Sequence, residues 1–301
     1  MKRDLLEIIA DRMPSFSKGQ KQIARYILEH YDKAAYMTAA KLGAIVGVSE
    51  STVVRFAIEL EFEGYPELQD ALQMMIRTRL TSVQRMEVQN QLIGDGDVLA
   101  KVLESDVDRI RHTLQALDRG AFNRAVEKIA SAKRIYIIGI RSSSTLASFM
   151  HFNFRMIFDN TIFVQTPSRS EMFEEIMRIG EGDVMIAISF PRYSKRIGNA
   201  VEFARKQGAE VVALTDSEQA PIAEFANELL IAQSGMASFV DSLVAPLSVV
   251  NALIVALSKH KQDELTGRLH ALEQIWADYD VYEKNDREDF GFMTERERKR
   301  G

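Results

Sequence analysis

The sequence predicts an α/β protein in two parts: an all-helical N-terminal unit, then a three-layer αβα unit on a parallel sheet of about five strands. Three observations predict it. Apolar residues in the first 80 positions recur at helical spacing. From residue 121, short runs rich in β-branched residues alternate with helical stretches. The chain has 301 residues, of which 46% are hydrophobic and 27% charged, enough to bury two cores.

The helical unit comes first. Leu5, Ile8 and Ile9 line one face of an opening helix. Ser17 is placed to cap a second helix, whose Ile23, Ile27, Leu28 and Tyr31 share a face. Two short helices flank Gly47, and Pro66 suits the first turn of a further helix carrying Leu68, Leu72 and Met75. Residues 81–120 read as a polar helical linker broken at Gly94 and Gly96. Asp97 is placed to begin a helix on which Leu103, Val107, Ile110, Leu114 and Leu117 follow 4-3-4-3 spacing. That seam fits either a partner helix or the chain's own core.

The sheet strands are expected at residues 134–140 (RIYIIGI), 161–164 (TIFV), 184–189 (VMIAIS), 210–215 (EVVALT) and 228–231 (ELLI). Strands alternating with helices imply right-handed crossovers and a sheet covered on both faces. The chain is helical again after Leu243, and residues 284–301 read as a disordered charged tail. The resulting division is 1–80, 81–120, 121–260 and 261–301.

Composition excludes several classes. There is no cysteine, and His30, His112, His151, His260 and His270 are scattered, so neither a disulfide framework nor a metal centre is expected. Residues 243–257, the most apolar stretch, are interrupted by Pro246, Ser248 and Asn251 and fall short of the ~20 needed to span a bilayer. The opening MKRDLLEIIADRM has no signal-peptide pattern. A cytoplasmic protein without membrane contact is expected.

Residues 39–57 (AAKLGAIVGVSESTVVRFA) form a helix-turn-helix pattern. Gly43 is small where the two helices cross, and Gly47 tolerates a left-handed turn. Leu42, Val46, Val48, Val53 and Phe56 face inward, and Ser49 caps the second helix. Ser51, Thr52, Arg55 and Glu59 then share the outer face. Hydroxyls and a guanidinium near a helix N-terminus suit the major groove, so Ser51, Thr52 and Arg55 are the candidate DNA-binding residues. The net charge is −5, and residues 1–80 carry eleven basic and eleven acidic residues. Affinity for DNA must therefore come from local placement of charge and from oligomerisation.

Two polar loops follow predicted strands. One carries Ser142, Ser143 and Ser144, the other Ser189, Arg192, Tyr193 and Ser194. Loops at the carboxyl ends of parallel strands hold ligands, and helix N-termini there attract anions. Some of these serines, Ser144 and Ser194 above all, equally suit helix caps. Neither a dinucleotide fingerprint nor a P-loop is present, so no cofactor is expected.

GVSESTVVRF with EGYPELQDAL, and then KRIYIIGIRSSS, GDVMIAISF, GAEVVALTD and FVDSLVAPLSVVNALIVAL in that order, resemble the RpiR/MurR family of bacterial transcription regulators. The resemblance spans roughly residues 5–260. It implies an N-terminal helix-turn-helix joined to a SIS (sugar isomerase) domain. It also implies a homodimer or homotetramer on a palindromic double-stranded DNA operator, and control by a phosphorylated sugar or related acidic metabolite. The chain departs from the family at three places. Arg141 replaces the second glycine of the first loop, Pro191 and Arg192 replace a serine and a glycine of the second, and Glu61 replaces a glycine after the helix-turn-helix.

Arg192, and with it Arg141, is expected to pair with a phosphate or carboxylate. Tyr193 suits either the ligand or loop packing. Asp241 suits either a ligand hydroxyl or, as the better fit, the cap of the closing helix. One alternative is a SIS-fold sugar-phosphate isomerase, for which Glu171, Glu174 and Glu175 are the available bases. Another is a phosphosugar-binding adaptor that does not bind DNA. Neither has a use for the outward face of the second helix, so a regulator without catalytic residues is the expected class.

Overall fold

Side-chain caps open most helices of the N-terminal half. In this computed structural model, which describes residues 5–94, 96–165 and 168–282, α1 (Leu5–Arg12) leads into α2 (Lys18–Ala34). Ser17 and Gln20 exchange hydrogen bonds in a capping box there. Thr38 caps α3 (Ala39–Val46), and Ser49 caps α4 (Glu50–Glu59). In α5 (Tyr65–Arg79) the first turn holds Pro66, whose missing N–H costs nothing there. Ile9, Ile23, Ile27, Leu42, Phe56, Leu68, Leu72 and Ile76 fill the shared core and are fully buried. Phe16 meets Phe56 edge-on at 5.2 Å. Thr81 with Gln84, and then Asp97, cap α6 (Ser82–Ile93) and α7 (Val98–Ala116).

The second half alternates as expected: α8 (Arg119–Ala130), β1 (Ile135–Gly139), α9 (Ser142–Ile157), β2 (Thr161–Val164), α10 (Arg169–Ile176), β3 (Val184–Ile188), α11 (Lys195–Lys206), β4 (Glu210–Thr215) and β5 (Glu228–Ile231). All five strands are parallel in the order β2-β1-β3-β4-β5. Alternate side chains enter opposite layers. Ile135, Ile137, Ile186 and Val212 meet α8, α9 and the closing helix α12 (Val244–His260). Tyr136, Ile138, Met185 and Val211 meet α10 and α11. The three-layer reading holds. Two strands are shorter than predicted, since Arg134, Ile140 and Ser189 lie just outside β1 and β3.

One element was not foreseen. Between β5 and α12 the chain forms a small antiparallel hairpin, β6 (Gly235–Met236) and β7 (Asp241–Ser242), pairing Gly235 with Ser242 and Met236 with Asp241. Met236 is buried in the core of the N-terminal unit. Asp241 is therefore no helix cap; α12 begins after Leu243 without a side-chain cap. The helix α13 (Gln262–Asp278) follows, and residues 284–301 lie outside the described residues. Among the described residues, no helix is long and apolar enough to cross a membrane.

Candidate functional site

The helix-turn-helix is built as its sequence demands. Gly47 sits at φ 78°, ψ 35°, closing α3. A Cβ on Gly43 would lie 2.8 Å from the Val48 carbonyl oxygen, so the crossing requires its absence. On α4, Ser51 and Arg55 are exposed, and Arg55 Nε donates to the Ser51 carbonyl oxygen at 3.3 Å. Thr52 is half-buried, and its hydroxyl lies 2.8 Å from that of the cap Ser49. Glu61 holds a left-handed backbone at φ 72° and pairs with Arg12.

Sequence reading overlooked two lysines. A Cβ on Gly19 would sit 3.3 Å from Thr52 Cγ2, which sets the start of α2 beside the start of α4. Lys18 and Lys21 occupy the first turn of α2, where the helix dipole disfavours cations. Basic charge there opposes helix stability.

The second site lies where sheet order reverses. β1 leads outward to β2, whereas β3 lies on its other side, so the carboxyl ends of β1 and β3 flank a crevice. A cavity of about 230 Å³ opens there. Ser142, Ser143, Ser189, Arg192 and Ser194 all line it, together with Arg141. Ser144 does not: its hydroxyl donates to the Arg141 carbonyl oxygen at 2.6 Å. Ser194 also caps α11, accepting from the Arg196 N–H at 3.3 Å. Helix α9 begins at Ser142 without a side-chain cap, leaving its N-terminal amides and dipole directed at the crevice. A Cβ on Gly139 would fall 2.4 Å from the Ser143 carbonyl oxygen, so only glycine lets α9 start this close to β1.

The backbone explains the two departures in these loops. Arg141 sits at φ 58°, ψ −127°, and Arg192 at φ 62°. Both keep a conformation that favours glycine while placing a guanidinium at the cavity. Arg192 reaches Ser82 Oγ of α6 at 3.0 Å. Tyr193 turns away and donates to Asp216 at 2.8 Å. Sequence reading also missed the wall opposite the loops. Ser82 and Arg85 from α6, with Phe239, Val240 and Asp241 from the hairpin, complete the cavity. Their spacing in sequence carries no signal, because they meet only when the hairpin folds back onto α6.

The helix-turn-helix domain of the rpiR family matches residues 3–78, and the SIS domain matches residues 128–256. The chain belongs to the RpiR family. Among its relatives, the HTH-type transcriptional regulator HexR of Escherichia coli is 28% identical over 219 residues, covering 71% of this chain and 73% of HexR. An uncharacterized HTH-type transcriptional regulator of Caldanaerobacter subterraneus is 24% identical, covering 90% of this chain and 96% of its own. Vibrio vulnificus NanR, solved in complex with ManNAc-6P, superposes with a TM-score of 0.57 at 24% identity, covering 91% of this chain and 98% of NanR. This RpiR-family chain is thus a DNA-binding transcription regulator in its class and in its architecture.

Proposed function

We propose that the protein is a homo-oligomeric transcription regulator in the cytoplasm that binds a palindromic operator and answers to a phosphorylated sugar or related acidic metabolite. In this reading residues 1–80 bind DNA, 81–120 transmit, and 121–260 sense. Ser51, Thr52 and Arg55 meet base edges and phosphates, and Lys18 and Lys21 add phosphate contacts. Two copies of α4 occupy successive major grooves about one helical turn apart.

The cavity carries this reading. Its lining combines serine hydroxyls at 142, 143, 189 and 194, the uncapped start of α9, and the guanidiniums of Arg85, Arg141 and Arg192. That set recognises a compact oxyanion. NanR's ligand, a sugar phosphate, is of the same class. Catalysis is not supported. Asp241 is the one carboxylate among the described lining residues, and Arg85 engages it. Glu171, Glu174 and Glu175 lie exposed on α10 and are not among the described lining residues, so these three are not placed as isomerisation bases.

A second copy is expected on α7. Leu103, Val107, Ile110 and Leu114 are exposed along one face, 64% in the case of Leu114, and Ile110 and Leu114 border an apolar groove against α8 and α12. Apolar residues at this spacing are ordinarily covered by another helix.

Fluorescence anisotropy on the protein's own upstream promoter tests the whole reading, with salt titrated in the presence and absence of sugar phosphates and acidic sugars. Salt-sensitive binding that exceeds random DNA and shifts with one compound is the expected outcome. Equal binding to random DNA under all conditions would remove the regulator reading.

A further inference from the structure

The cavity wall supplied by α6 belongs to the segment that joins the two units. Arg85 is 2% exposed and forms an ion pair with Asp241 of the hairpin, both side chains being almost wholly buried. Its Nε nonetheless has no hydrogen-bond partner among the described residues. A guanidinium presents five donors in a fixed fork, and a buried donor without an acceptor is costly. The pair is thus incomplete, and it sits on the wall of a cavity lined by two further guanidiniums, Arg141 and Arg192. Three cations face one carboxylate, a balance that favours entry of an anion.

The hairpin is also the clamp between the units. Gln89 of α6 donates to the Met236 carbonyl oxygen, and Met236 is buried in the helical core. Farther along, Ser242 donates to Asp106 of α7 at 2.6 Å, and a Cβ on Gly235 would collide with Arg109. Asp241, between these contacts, is tied to α6 through Arg85.

We propose that Arg85 is an effector-binding residue supplied by the linker helix, and that the phosphate group of the effector competes with Asp241 for it. Without ligand, Asp241 holds Arg85 and the hairpin is clamped to α6. With a phosphate monoester in the cavity, Arg85 turns its fork to the phosphate oxygens, Asp241 loses its partner, and the hairpin's hold on α6 loosens. The ligand thereby prefers one placement of the helical unit over the other, which is the condition for it to alter DNA affinity. This inference rests on the cavity being the effector site.

The test uses the full chain, with glucose 6-phosphate, ManNAc-6P and inorganic phosphate as probes in calorimetric titrations. Arg85→Met should weaken phosphate-ester binding about tenfold or more, the loss expected of a charge-assisted contact. Asp241→Asn removes the competitor and should tighten binding several-fold, a gain that a misfolded protein cannot give. Ligand-free Asp241→Asn should also show promoter-DNA affinity displaced toward the value that saturating ligand gives the wild type. If both variants bind the probes like wild type while Ser189→Ala binds weakly, the shared arginine is refuted and the cavity reading stands. If the wild type binds none of the probes, or Ser189→Ala binds them unchanged, the cavity reading fails and this inference falls with it.

Discussion

The two sites handle left-handed backbone in opposite ways. In the helix-turn-helix the turn residue is Gly47, at φ 78° with no neighbour within 4 Å of where a Cβ would stand. In the cavity loops the corresponding strained positions carry Arg141 and Arg192. A turn that only redirects the chain takes the residue with least strain. A turn at a ligand site accepts strain of about 1–3 kcal/mol when its side chain has a task. The difference separates a region built for shape from one built for charge.

The largest expected effect lies in the region built for shape. Phe56 is fully buried against Phe16, and Phe56→Ala should destabilise the helical unit by ~3–5 kcal/mol through the cavity it leaves. Thermal unfolding followed by circular dichroism would show an early transition, and promoter binding should vanish with it. A normal melt would mean that this core does not hold the reading helix.

Proton linkage gives the next contrast. Tyr65 is buried in the helical core, donating to the Met37 carbonyl oxygen at 2.9 Å, and burial pushes its phenol up to about 12 from 10.0. The folded state resists its ionisation, so this stability is complete below pH 10 and is lost as pH rises toward 12. Each pH unit between the two values is worth ~1.4 kcal/mol, so the loss approaches ~3 kcal/mol. In the sheet unit His151 stacks on Phe163, and burial, aided by Arg155, lowers its pKa. Its stability is present above the ordinary value of 6.5 and falls as pH drops through it. Melting temperatures of wild type and Tyr65→Phe should converge between pH 9 and pH 11 by ~5 °C or more. A gap that stays constant would mean that Tyr65 ionises freely.

How much of each region was legible follows from the same contrast. The helix-turn-helix is local: Gly43, Gly47 and Ser49 act on neighbours a few residues away, and their spacing alone disclosed the motif. The strands were equally plain, because each central strand is buried on both faces and reads as a continuous apolar run. Half of the cavity was legible, since Ser142, Ser143, Ser189, Arg192 and Ser194 follow strands directly. The other half was not. Arg85 and Asp241 are 156 positions apart, and no local pattern announces their pairing. The hairpin itself has two-residue strands, too short for an alternating pattern to register. Ser144, adjacent in sequence to two lining serines, fell on the wrong side of the first turn of α9 and bonds Arg141 instead.

Function should divide along the same line. Arg55→Ala is expected to weaken promoter binding by ~1–3 kcal/mol, roughly 5- to 150-fold, with the melting temperature unchanged because the side chain is exposed. Arg192→Ala should leave ligand-free DNA binding near wild type and lower affinity for phosphate esters by ~1.5–3 kcal/mol in calorimetry. Unchanged ligand affinity would reduce Arg192 to its bond with Ser82.

The smallest effect tests the comparison most directly. Gly47→Ala adds only a methyl group to open space, so its cost is the left-handed backbone, ~1 kcal/mol after allowance for the stiffer unfolded chain. Arg141→Gly is the reverse substitution: its φ of 58° and ψ of −127° lie where glycine rests unstrained. It should stabilise by a similar ~1 kcal/mol, raising the melting temperature by ~2–4 °C, while ligand affinity falls. Opposite signs in stability, with a loss of ligand affinity only at 141, would establish that the strain is kept for the guanidinium. A drop in melting temperature at both positions would mean that Arg141 contributes more to packing than its backbone costs, and the contrast between a turn for shape and a turn for charge would not hold.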